Sequence, residues 1–564
     1  MGFSIPFVSS LLKSKDFRRA AGALTGEEKM VRVGCPSHNC GGRCLLRVYV
    51  GDGVIRRIET DDRPGDTVAD PQLRACMRGR SYRHRQHHAE RLKYPLKRTG
   101  ERGSGKFKRI SWDEATDLVA ENIARIREQY GNTSLYVPYG TGSYNQLGGK
   151  WSADRLMNLC GGALGYYNSY SWACITPATV TVYGTDVTGN QRQDWLNSEY
   201  ILMWGWNPSE MRDGTNSEYF LKEARRKGAK VVCIDPRMTM SAVALADEWV
   251  AIRPGTDVAM MSAMVWVMIT EGLYDEDFVR RYCVGFDETQ MPEGCRDQES
   301  YRDYILGVCD KQPKTPEWAE AITTVPREII TRIAREYATA QAAVLYQGYG
   351  MQRRAYGEQV VRAGCVLAAI TGNVGKPGGW ASGIALQAGG GPFWNVFPVL
   401  ENPVKAMIPT FLWTEAVLRG PELTEKDGLV GIDRLPHGIK MIWAVASNAI
   451  VNQHANINRT VEIIKDTSRL EFFVVQDQFM TPTARFADLV LPACTQFETW
   501  GMEDGWKYGE ELILQPRNFD PPGETMSDYA ICAAVAKKLG LWQAFTEGRD
   551  EKQWVGALLD DYRE

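Results

Sequence analysis

Four cysteines near the start of the sequence have the residue type and the spacing of a metal centre. Cys35, Cys40 and Cys44 lie within one stretch of ten residues, and Cys76 follows after a further 31 residues. Cysteine thiolates hold zinc ions and iron–sulfur clusters. Structural zinc usually takes two short pairs of ligands, whereas three clustered cysteines and one distant cysteine suit the four corners of a [4Fe–4S] cluster. The spacing favours the cluster, with zinc and unligated core cysteines as alternatives.

A basic segment begins beside the fourth cysteine. Arg78 lies two residues after Cys76, and a stretch rich in arginine, lysine and histidine runs on to Arg98. A fixed positive charge next to a cluster can stabilise added negative charge or bridge the cluster to a second cofactor. For the segment as a whole, an ordinary solvated surface is the alternative.

The surrounding pattern predicts a small β-rich lobe followed by α/β lobes. Residues 45–60 alternate as a β-hairpin with a Gly-Asp-Gly turn. Ser111 and Glu114 form a capping box for a helix that Gly131 ends. A strand, a polar loop and a helix then recur, which is typical of parallel sheets. These predicted strands begin at Tyr200, Ala229, Ala342, Lys440, Leu470 and Ala487.

Composition excludes several classes of protein. The net charge of −3 over 564 residues gives no reason to expect a nucleic-acid partner. An odd count of thirteen cysteines does not indicate a disulfide scaffold. No apolar run reaches the length of a membrane span, and residues 259–269 predict a buried helix. The first thirty residues show no export signal, so the sequence predicts a cytoplasmic protein; export with a partner, bound at the membrane periphery, is the alternative.

Many segments in one order resemble the catalytic subunits of the dimethyl sulfoxide reductase family of molybdopterin oxidoreductases, the respiratory reductases most closely. They include "CGGRC", "LRACMRGRS", "GKFKRISWDEA", "GWNPSEMR", "IDPRMT", "RPGTDVAM", "TGNVGKPGG", "VNQHANINRT" and "ADLVLPACT". The resemblance covers about residue 31 to the end. It implies doubly wound parallel-sheet lobes, one [4Fe–4S] cluster and molybdenum held by two molybdopterin guanine dinucleotides. It also implies that Cys35, Cys40, Cys44 and Cys76 are the cluster ligands, with Arg78 between cluster and pterin.

The same resemblance implies a ligand from the protein to molybdenum. Ser171 matches the family position that gives Ser, Cys, selenocysteine or Asp to the metal, and an alkoxide suits high-valent molybdenum. Cys174 is the competing ligand and would indicate chemistry like that of nitrate reductases. Tyr139 is a second catalytic candidate, because its phenol could hydrogen-bond the oxygen that is transferred; a core tyrosine is the alternative.

Polar residues at predicted strand ends are expected to bind the two nucleotide arms. Glycines and helix starts supply close backbone for pyrophosphate, an arginine can pair with phosphate, and a carboxylate can accept from guanine. A helix cap or turn is the alternative for any one of them. The residues are Gly205, Asn207, Glu210, Asp235, Arg237 and the family-matched Asp257 for one arm, and Ser447, Asn448, Gln453, Asp477 and Thr481 for the other.

The implied function is reduction of an S-oxide or N-oxide by oxygen-atom transfer, with electrons arriving through the cluster. Alternatives are a molybdenum or tungsten enzyme acting on nitrate, selenate or another substrate, and a truncated iron–sulfur subunit without catalytic molybdenum. Implied partners are an iron–sulfur electron-transfer subunit, a membrane-anchor subunit and a small oxidised substrate. We expect a cluster domain at 31–95, an α/β lobe at 96–190 plus 371–564, a Rossmann-like lobe at 191–370, and no counterpart of the family's C-terminal β-barrel domain.

Overall fold

The computed structural model describes residues 27–36, 43–141, 146–186, 188–211, 214–380, 397–504 and 511–563. Cys40 lies outside these residues. The strands, numbered along the chain, are β1 (Lys29–Gly34), β2 (Leu45–Gly51), β3 (Val54–Thr60), β4 (Leu96–Arg98), β5 (Phe107–Arg109), β6 (Leu135–Tyr136), β7 (Gly165–Tyr167), β8 (Tyr200–Trp204), β9 (Lys230–Ile234), β10 (Glu248–Val250), β11 (Ala343–Gln347), β12 (Met407–Pro409), β13 (Met441–Val445), β14 (Phe472–Asp477), β15 (Leu489–Pro492), β16 (Gly501–Asp504) and β17 (Leu512–Gln515).

The helices surround these strands. They are α1 (Met77–Arg80), α2 (Arg83–Gln86), α3 (Trp112–Tyr130), α4 (Lys150–Leu159), α5 (Ile175–Tyr183), α6 (Ser217–Arg226), α7 (Met240–Leu245), α8 (Asp257–Thr270), α9 (Glu276–Tyr282), α10 (Tyr301–Leu306), α11 (Pro316–Thr323), α12 (Arg327–Thr339), α13 (Gly357–Ile370), α14 (Trp413–Arg419), α15 (Ile457–Lys465), α16 (Asp528–Lys538), α17 (Trp542–Thr546) and α18 (Glu551–Arg563). Within the described residues, no helix is both long and apolar enough to cross a membrane.

An antiparallel sheet of β1, β2 and β3 forms the N-terminal lobe. The turn between β2 and β3 places Asp52 at φ 53° and Gly53 at φ 73°, the left-handed conformation that a tight hairpin turn requires. The predicted hairpin is therefore confirmed. The inward faces of its strands pack on Phe497 and Phe519, so the lobe is joined to a distant part of the chain through a shared core.

The four-stranded sheet has the order β10-β9-β8-β11, and all its neighbouring strands are parallel. All five residues of β8 are buried, because helices cover both faces of the sheet. Leu202 packs into the core on one face, while Ile201 and Met203 pack into the core on the other. Helix α8 lies on this sheet and is buried along most of its length, which confirms the buried helix predicted there.

The six-stranded sheet has the order β5-β4-β15-β14-β13-β6. Strands β6, β13, β14 and β15 are parallel, but β4 and β5 add an antiparallel edge that the sequence pattern did not predict. Asp488, at the start of β15, explains the edge. It accepts hydrogen bonds from Arg98 Nε at 2.8 Å and from the buried Arg102 Nε at 3.0 Å. Because a buried carboxylate needs partners, these two arginines hold the basic hairpin against β15.

Helix α3 shows how local sequence sets an element that borders this sheet. Ser111 Oγ accepts from the backbone N–H of Glu114 at 3.1 Å, and Gly131 ends the helix at φ 79°. The predicted start and end of this helix are both confirmed. Its buried face includes Ala115, Val119 and Ile123, which pack in the core beneath the sheet.

Glu551, the first residue of α18, makes stability depend on pH. Burial, together with the negative charge of Asp528, raises the pKa of this carboxyl from 4.5 to about 7. The folded state then binds more protons than the unfolded state between these values, so stability falls as pH rises from about 4.5 to about 7. We expect Glu551→Gln to be more stable than wild type at pH 8, by roughly 1–3 kcal/mol. Urea unfolding at pH 4.5 and pH 8 checks this; an equal difference at both values would contradict it.

Candidate functional site

The described cysteines of the N-terminal lobe come together at one end of its sheet. Cys35 follows β1 and Cys44 precedes β2, and the Cys35 N–H donates to the Cys44 carbonyl at 2.9 Å. Cys76 caps α1, whose Gly79 approaches Cys35 so closely that a Cβ there would lie 2.7 Å from its Sγ. The three cysteines therefore converge from separate segments. Among the described residues, no three His, Cys, Asp or Glu side chains are arranged as ligands of a single metal ion.

Arg78 connects this cysteine site to the four-stranded sheet. Its Nη2 donates to the backbone carbonyl of Glu210 at 3.3 Å, although the two residues are 132 positions apart. The Glu210 carboxylate in turn accepts from Arg237 Nη2 at 3.3 Å. Arg78, two residues after Cys76, therefore contacts the loop after β8, and the pair of Glu210 and Arg237 joins that loop to the loop after β9. This is the position that a bridge between a cluster and a second cofactor would need.

The carboxyl ends of β8, β9 and β10 gather the residues predicted for the first nucleotide arm. Gly205 has φ 58°, and a Cβ there would lie 2.6 Å from Met351, so glycine is needed where the backbone turns out of β8. Asn207 Oδ1 accepts from Ser241 at 2.6 Å, while its buried Nδ2 has no partner among the described groups. A buried amide donor without a partner indicates a place for a ligand acceptor.

Asp235 and Asp257, the two aspartates at this edge of the sheet, differ in how far the protein already occupies their carboxylates. Asp235 forms a turn with the Arg237 N–H at 2.9 Å, and burial raises the pKa of its carboxyl. Asp257 is instead engaged by the protein, because it accepts from Trp204 Nε1 at 2.9 Å and pairs with Arg354. Its expected role as a guanine acceptor would require one of these protein bonds to be shared or exchanged.

A cavity of about 620 Å³ opens at the carboxyl ends of β13 and β14, where the second arm is predicted. Asn448, Asp477 and Thr481 line it, as the strand-end argument predicts. Ser447 is buried but turns away, donating to the Tyr139 carbonyl at 2.6 Å, and Gln453 is exposed on the next loop. Neither is a lining residue, so the cavity includes only part of the predicted set.

The cavity also contains groups that sequence reasoning missed. Asp528 comes from α16 and binds Gln476 Nε2 at 2.6 Å, leaving the buried Gln476 Oε1 without a described partner. His84, Arg85 and His88 come from the basic segment after Cys76. Their histidine and arginine content is the signal in the sequence, and it does not distinguish a cavity wall from a solvated surface. They line the same cavity as the carboxyl groups of Asp477 and Asp528. Burial raises the pKa of Asp477 to about 6 and also raises that of Asp528.

Ser171 lies between β7 and α5 and faces Tyr139. The two hydroxyl oxygens, Ser171 Oγ and Tyr139 Oη, are 3.3 Å apart. The ring of Tyr170 packs edge-on against Tyr139, and its hydroxyl is 2.8 Å from His454 Nδ1. The half-buried thiol of Cys174 lies beside Glu358 at the start of α13, and the Cys174 N–H donates to Gln352 Oε1 at 3.3 Å. Burial raises the pKa of this thiol.

The structure combines a cysteine-bearing β lobe with α/β sheets that carry polar residues at their strand ends. Two family models match it, one described as molybdopterin oxidoreductase over residues 91–538 and one as the Fe4S4 domain of molybdopterin oxidoreductases over residues 28–88. The chain belongs to the molybdopterin oxidoreductase family. It is therefore an enzyme with a [4Fe–4S] cluster and a molybdenum–molybdopterin cofactor, as the cysteine spacing and the resemblance predicted.

Particular relatives narrow the comparison. The chain is 43% identical to the dimethyl sulfoxide reductase DmsA of Escherichia coli, over 95% of this chain and 67% of that protein. It is 42% identical to the DmsA of Haemophilus influenzae, over 95% and 68%, and 32% identical to a dimethyl sulfoxide/trimethylamine N-oxide reductase of Rhodobacter capsulatus, over 84% and 60%. The chain thus spans about two thirds of the length of these relatives.

A solved structure shows the same fold. The acetylene hydratase of Pelobacter acetylenicus superposes with a TM-score of 0.68 at 24% identity, over 92% of this chain and 70% of that one. At this identity the likeness bears on the fold alone. It confirms the α/β architecture expected from the sequence, while the Fe4S4 family model shows the N-terminal cluster domain.

Proposed function

We propose that the chain reduces an S-oxide or N-oxide of the dimethyl sulfoxide type. The observation that carries the proposal is the pairing of Ser171 Oγ with Tyr139 Oη at 3.3 Å, where Gln352 holds the Ser171 carbonyl and Ser447, after β13, holds the Tyr139 carbonyl. The names of its relatives, which are dimethyl sulfoxide and trimethylamine N-oxide reductases, support the same substrates. When bound, the molybdenum cofactor supplies two-electron oxygen-atom transfer.

The residues present fit such a cofactor. The unpartnered buried amide atoms of Asn207 and Gln476 and the glycine turn at Gly205 leave room and polar groups for its arms. We assign the first arm to Gly205, Asn207, Glu210, Asp235 and Arg237, with Asp257 behind them, and the second to Asn448, Asp477 and Thr481 together with Asp528. Cys35, Cys44 and Cys76, with Cys40, would hold the cluster, and Arg78 would lie between the cluster and the first arm.

The hydroxyl groups of Ser171 and Tyr139 are then the groups that would lie at the metal and the substrate. Ser171 would give an oxygen ligand to the metal, since a hard alkoxide suits high-valent molybdenum. Tyr139 would then lose Ser171 as its hydrogen-bond partner, and its O–H would be able to donate to the substrate oxygen. A donor already held at that place stabilises negative charge that develops there. Cys174 is the less suitable ligand, because its thiol is directed to the start of α13.

The partners and the cellular location of the protein are also proposals. We propose that electrons reach the cluster from a separate iron–sulfur subunit, and that a membrane-anchor subunit completes the assembly, because DmsA-type relatives are catalytic subunits. Co-purification of the tagged chain under anaerobic conditions tests this. The cytoplasmic location predicted from the sequence is tested by fractionation of the same cells, with export alongside a partner as the alternative outcome.

Metal content and substrate range test the proposed function together. We expect protein purified without oxygen to contain about four iron atoms and about one molybdenum atom per chain. It should oxidise a reduced viologen dye with dimethyl sulfoxide or trimethylamine N-oxide and turn over nitrate and selenate far more slowly. Preference for the oxyanions would replace the proposal with its nitrate-type alternative. Iron without molybdenum or pterin would make this chain an iron–sulfur subunit.

A further inference from the structure

Gln352 lies in the loop between β11 and α13, on the lobe of the four-stranded sheet. Its side chain is buried, with 2% of the residue exposed, and it points across to the loop that carries Ser171. The two residues are 181 positions apart. A buried amide must find partners for both its N–H groups and its oxygen. The Gln352 side chain bonds to Ser171 and Cys174 in the facing segment and to Tyr349 in its own loop.

The Gln352 amide forms hydrogen bonds to the Ser171 loop at two residues, Ser171 and Cys174. Its Nε2 donates to the Ser171 carbonyl at 2.9 Å and to the Tyr349 carbonyl at 3.1 Å. Its Oε1 accepts from the Cys174 N–H at 3.3 Å. One planar group therefore binds the carbonyl of the proposed ligand residue and the N–H three residues further on. No other uncharged side chain of this length offers both a donor and an acceptor.

Two further side chains complete the hold on Ser171. Arg353 Nε donates to the same Ser171 carbonyl at 3.2 Å. On the other side, Ser169 Oγ accepts from the N–H groups of Ser171 and Trp172, each at 3.2 Å. The backbone of Ser171 is thus fixed at both its N–H and its carbonyl, while its side-chain oxygen is directed to Tyr139.

The loop that carries Gln352 is itself tightly packed. A Cβ at Gly357, the first residue of α13, would lie 1.9 Å from the Gln352 carbonyl oxygen. Only glycine lets the helix begin this close to the loop. The position of Gln352 is therefore set by the lobe of the four-stranded sheet. Through its amide, that lobe fixes the backbone of the loop that carries Ser171.

We propose that Gln352 is a positioning residue that orients the Ser171 side chain as a ligand of molybdenum. This inference rests on the proposed function, in which Ser171 binds the metal. Groups that orient a metal ligand by hydrogen bonding to it typically contribute about 10–100-fold to activity or metal affinity. Gln352 does so through the backbone of Ser171 rather than by touching the metal or the substrate.

The test compares wild type with Gln352→Leu and Gln352→Glu in the holoenzyme. We expect each variant to lower kcat for dimethyl sulfoxide by about 10–100-fold, with little change in KM, because substrate contacts are untouched. The Mo(V) electron paramagnetic resonance signal should broaden or split, since the ligand loses its single orientation. Gln352→Glu keeps the acceptor for Cys174 but, when ionised, lacks the donor for Ser171, so it isolates the carbonyl contact if the leucine variant fails to fold.

Gln290 provides a matched control. Its Nε2 also ties two backbone carbonyls, those of Val279 and Cys283, at 2.8 and 3.0 Å, but neither belongs to the Ser171 loop. We expect Gln290→Leu to lower the melting temperature without altering the Mo(V) signal. Gln352 variants with the wild-type signal and kcat, or a Gln290 variant with the same spectral change, would overturn the inference. Wild-type protein without molybdenum would overturn the proposed function, and the inference with it, before any variant is compared.

Discussion

Ser171→Ala is expected to abolish S-oxide reduction while leaving the cluster in place. The loss should exceed the roughly 10–100-fold that follows removal of a group that only supports a metal ligand, because the ligand itself is removed. Tyr139, whose hydroxyl is 3.3 Å from Ser171 Oγ, is left in place by this change. The iron content should stay unchanged, since Ser171 lies between β7 and α5, outside the N-terminal lobe that carries the cysteines. Anaerobic turnover, iron and molybdenum analysis and the Mo(V) spectrum check each part.

Cys174→Ala is the control for this prediction, because Cys174 is the rival ligand in the same loop. Its thiol lies beside Glu358 at the start of α13, whereas the Ser171 hydroxyl is 3.3 Å from the Tyr139 hydroxyl. We expect its removal to change kcat by less than about threefold, well below the cost of losing even an outer group of a metal site. Ser171→Cys should retain molybdenum with a shifted spectrum, since a soft thiolate replaces a hard alkoxide. An inactive Cys174→Ala beside an active Ser171→Ala would reverse the assignment.

The choice between Ser171 and Cys174 shows where sequence reasoning reaches its limit. Both residues lie in one short loop, and either type can bind molybdenum, so the sequence favours Ser171 only through its match to the family's ligand position. What separates them is the direction of each side chain, which is set by Gln352 and Ser169 through hydrogen bonds to the loop backbone. The contact with Gln352 joins residues about 180 positions apart. No local pattern in the sequence carries that information.

Local sequence patterns correctly predicted the elements whose conformation depends on neighbouring residues. The hairpin at residues 45–60 and the cap at Ser111 depend on neighbours within a few positions, and both are confirmed. Successive residues of β8 pack alternately into two cores on opposite faces of its sheet, and those of β13 do the same in the other sheet. Uniformly apolar strands that lie between helices predict this packing. The strand ends were therefore placed correctly, which is why Asn448, Asp477 and Thr481 share one cavity.

The antiparallel edge and the far wall of the cavity were not predictable in this way. The edge depends on Arg102 reaching Asp488 across 386 positions. The wall depends on the basic segment at 84–88 folding against β14, where Arg85 Nε donates to Gln478 Oε1 at 3.0 Å. A run of basic residues is the same in sequence whether it meets water or a carboxylate, so only the folded chain distinguishes the two.

Breaking the ion pair of Arg91 and Glu498 is expected to cause a large loss of stability. Both side chains are almost fully buried, and Arg91 Nη2 donates to Glu498 Oε2 at 2.8 Å. Glu498 also accepts from Gln86 Nε2 and from the Thr495 N–H, each at 2.7 Å. The network thereby joins the segment that follows the fourth cysteine to the loop after β15. Removing one partner leaves the other charge buried without its counter-charge, which costs about 3–5 kcal/mol.

A double-mutant cycle in urea separates this cost from the net contribution of the pair. We expect Arg91→Met and Glu498→Leu each to lose about 3–5 kcal/mol. The double variant should lose much less than the sum, because an apolar pair of similar volume carries no stranded charge. Glu401→Ala, which breaks the exposed pair with Lys405, is the control and should change stability by less than about 1 kcal/mol. Additive losses in the cycle would mean that the two charges do not depend on each other, and that the shared apolar core around Phe497 holds the cluster lobe in place instead.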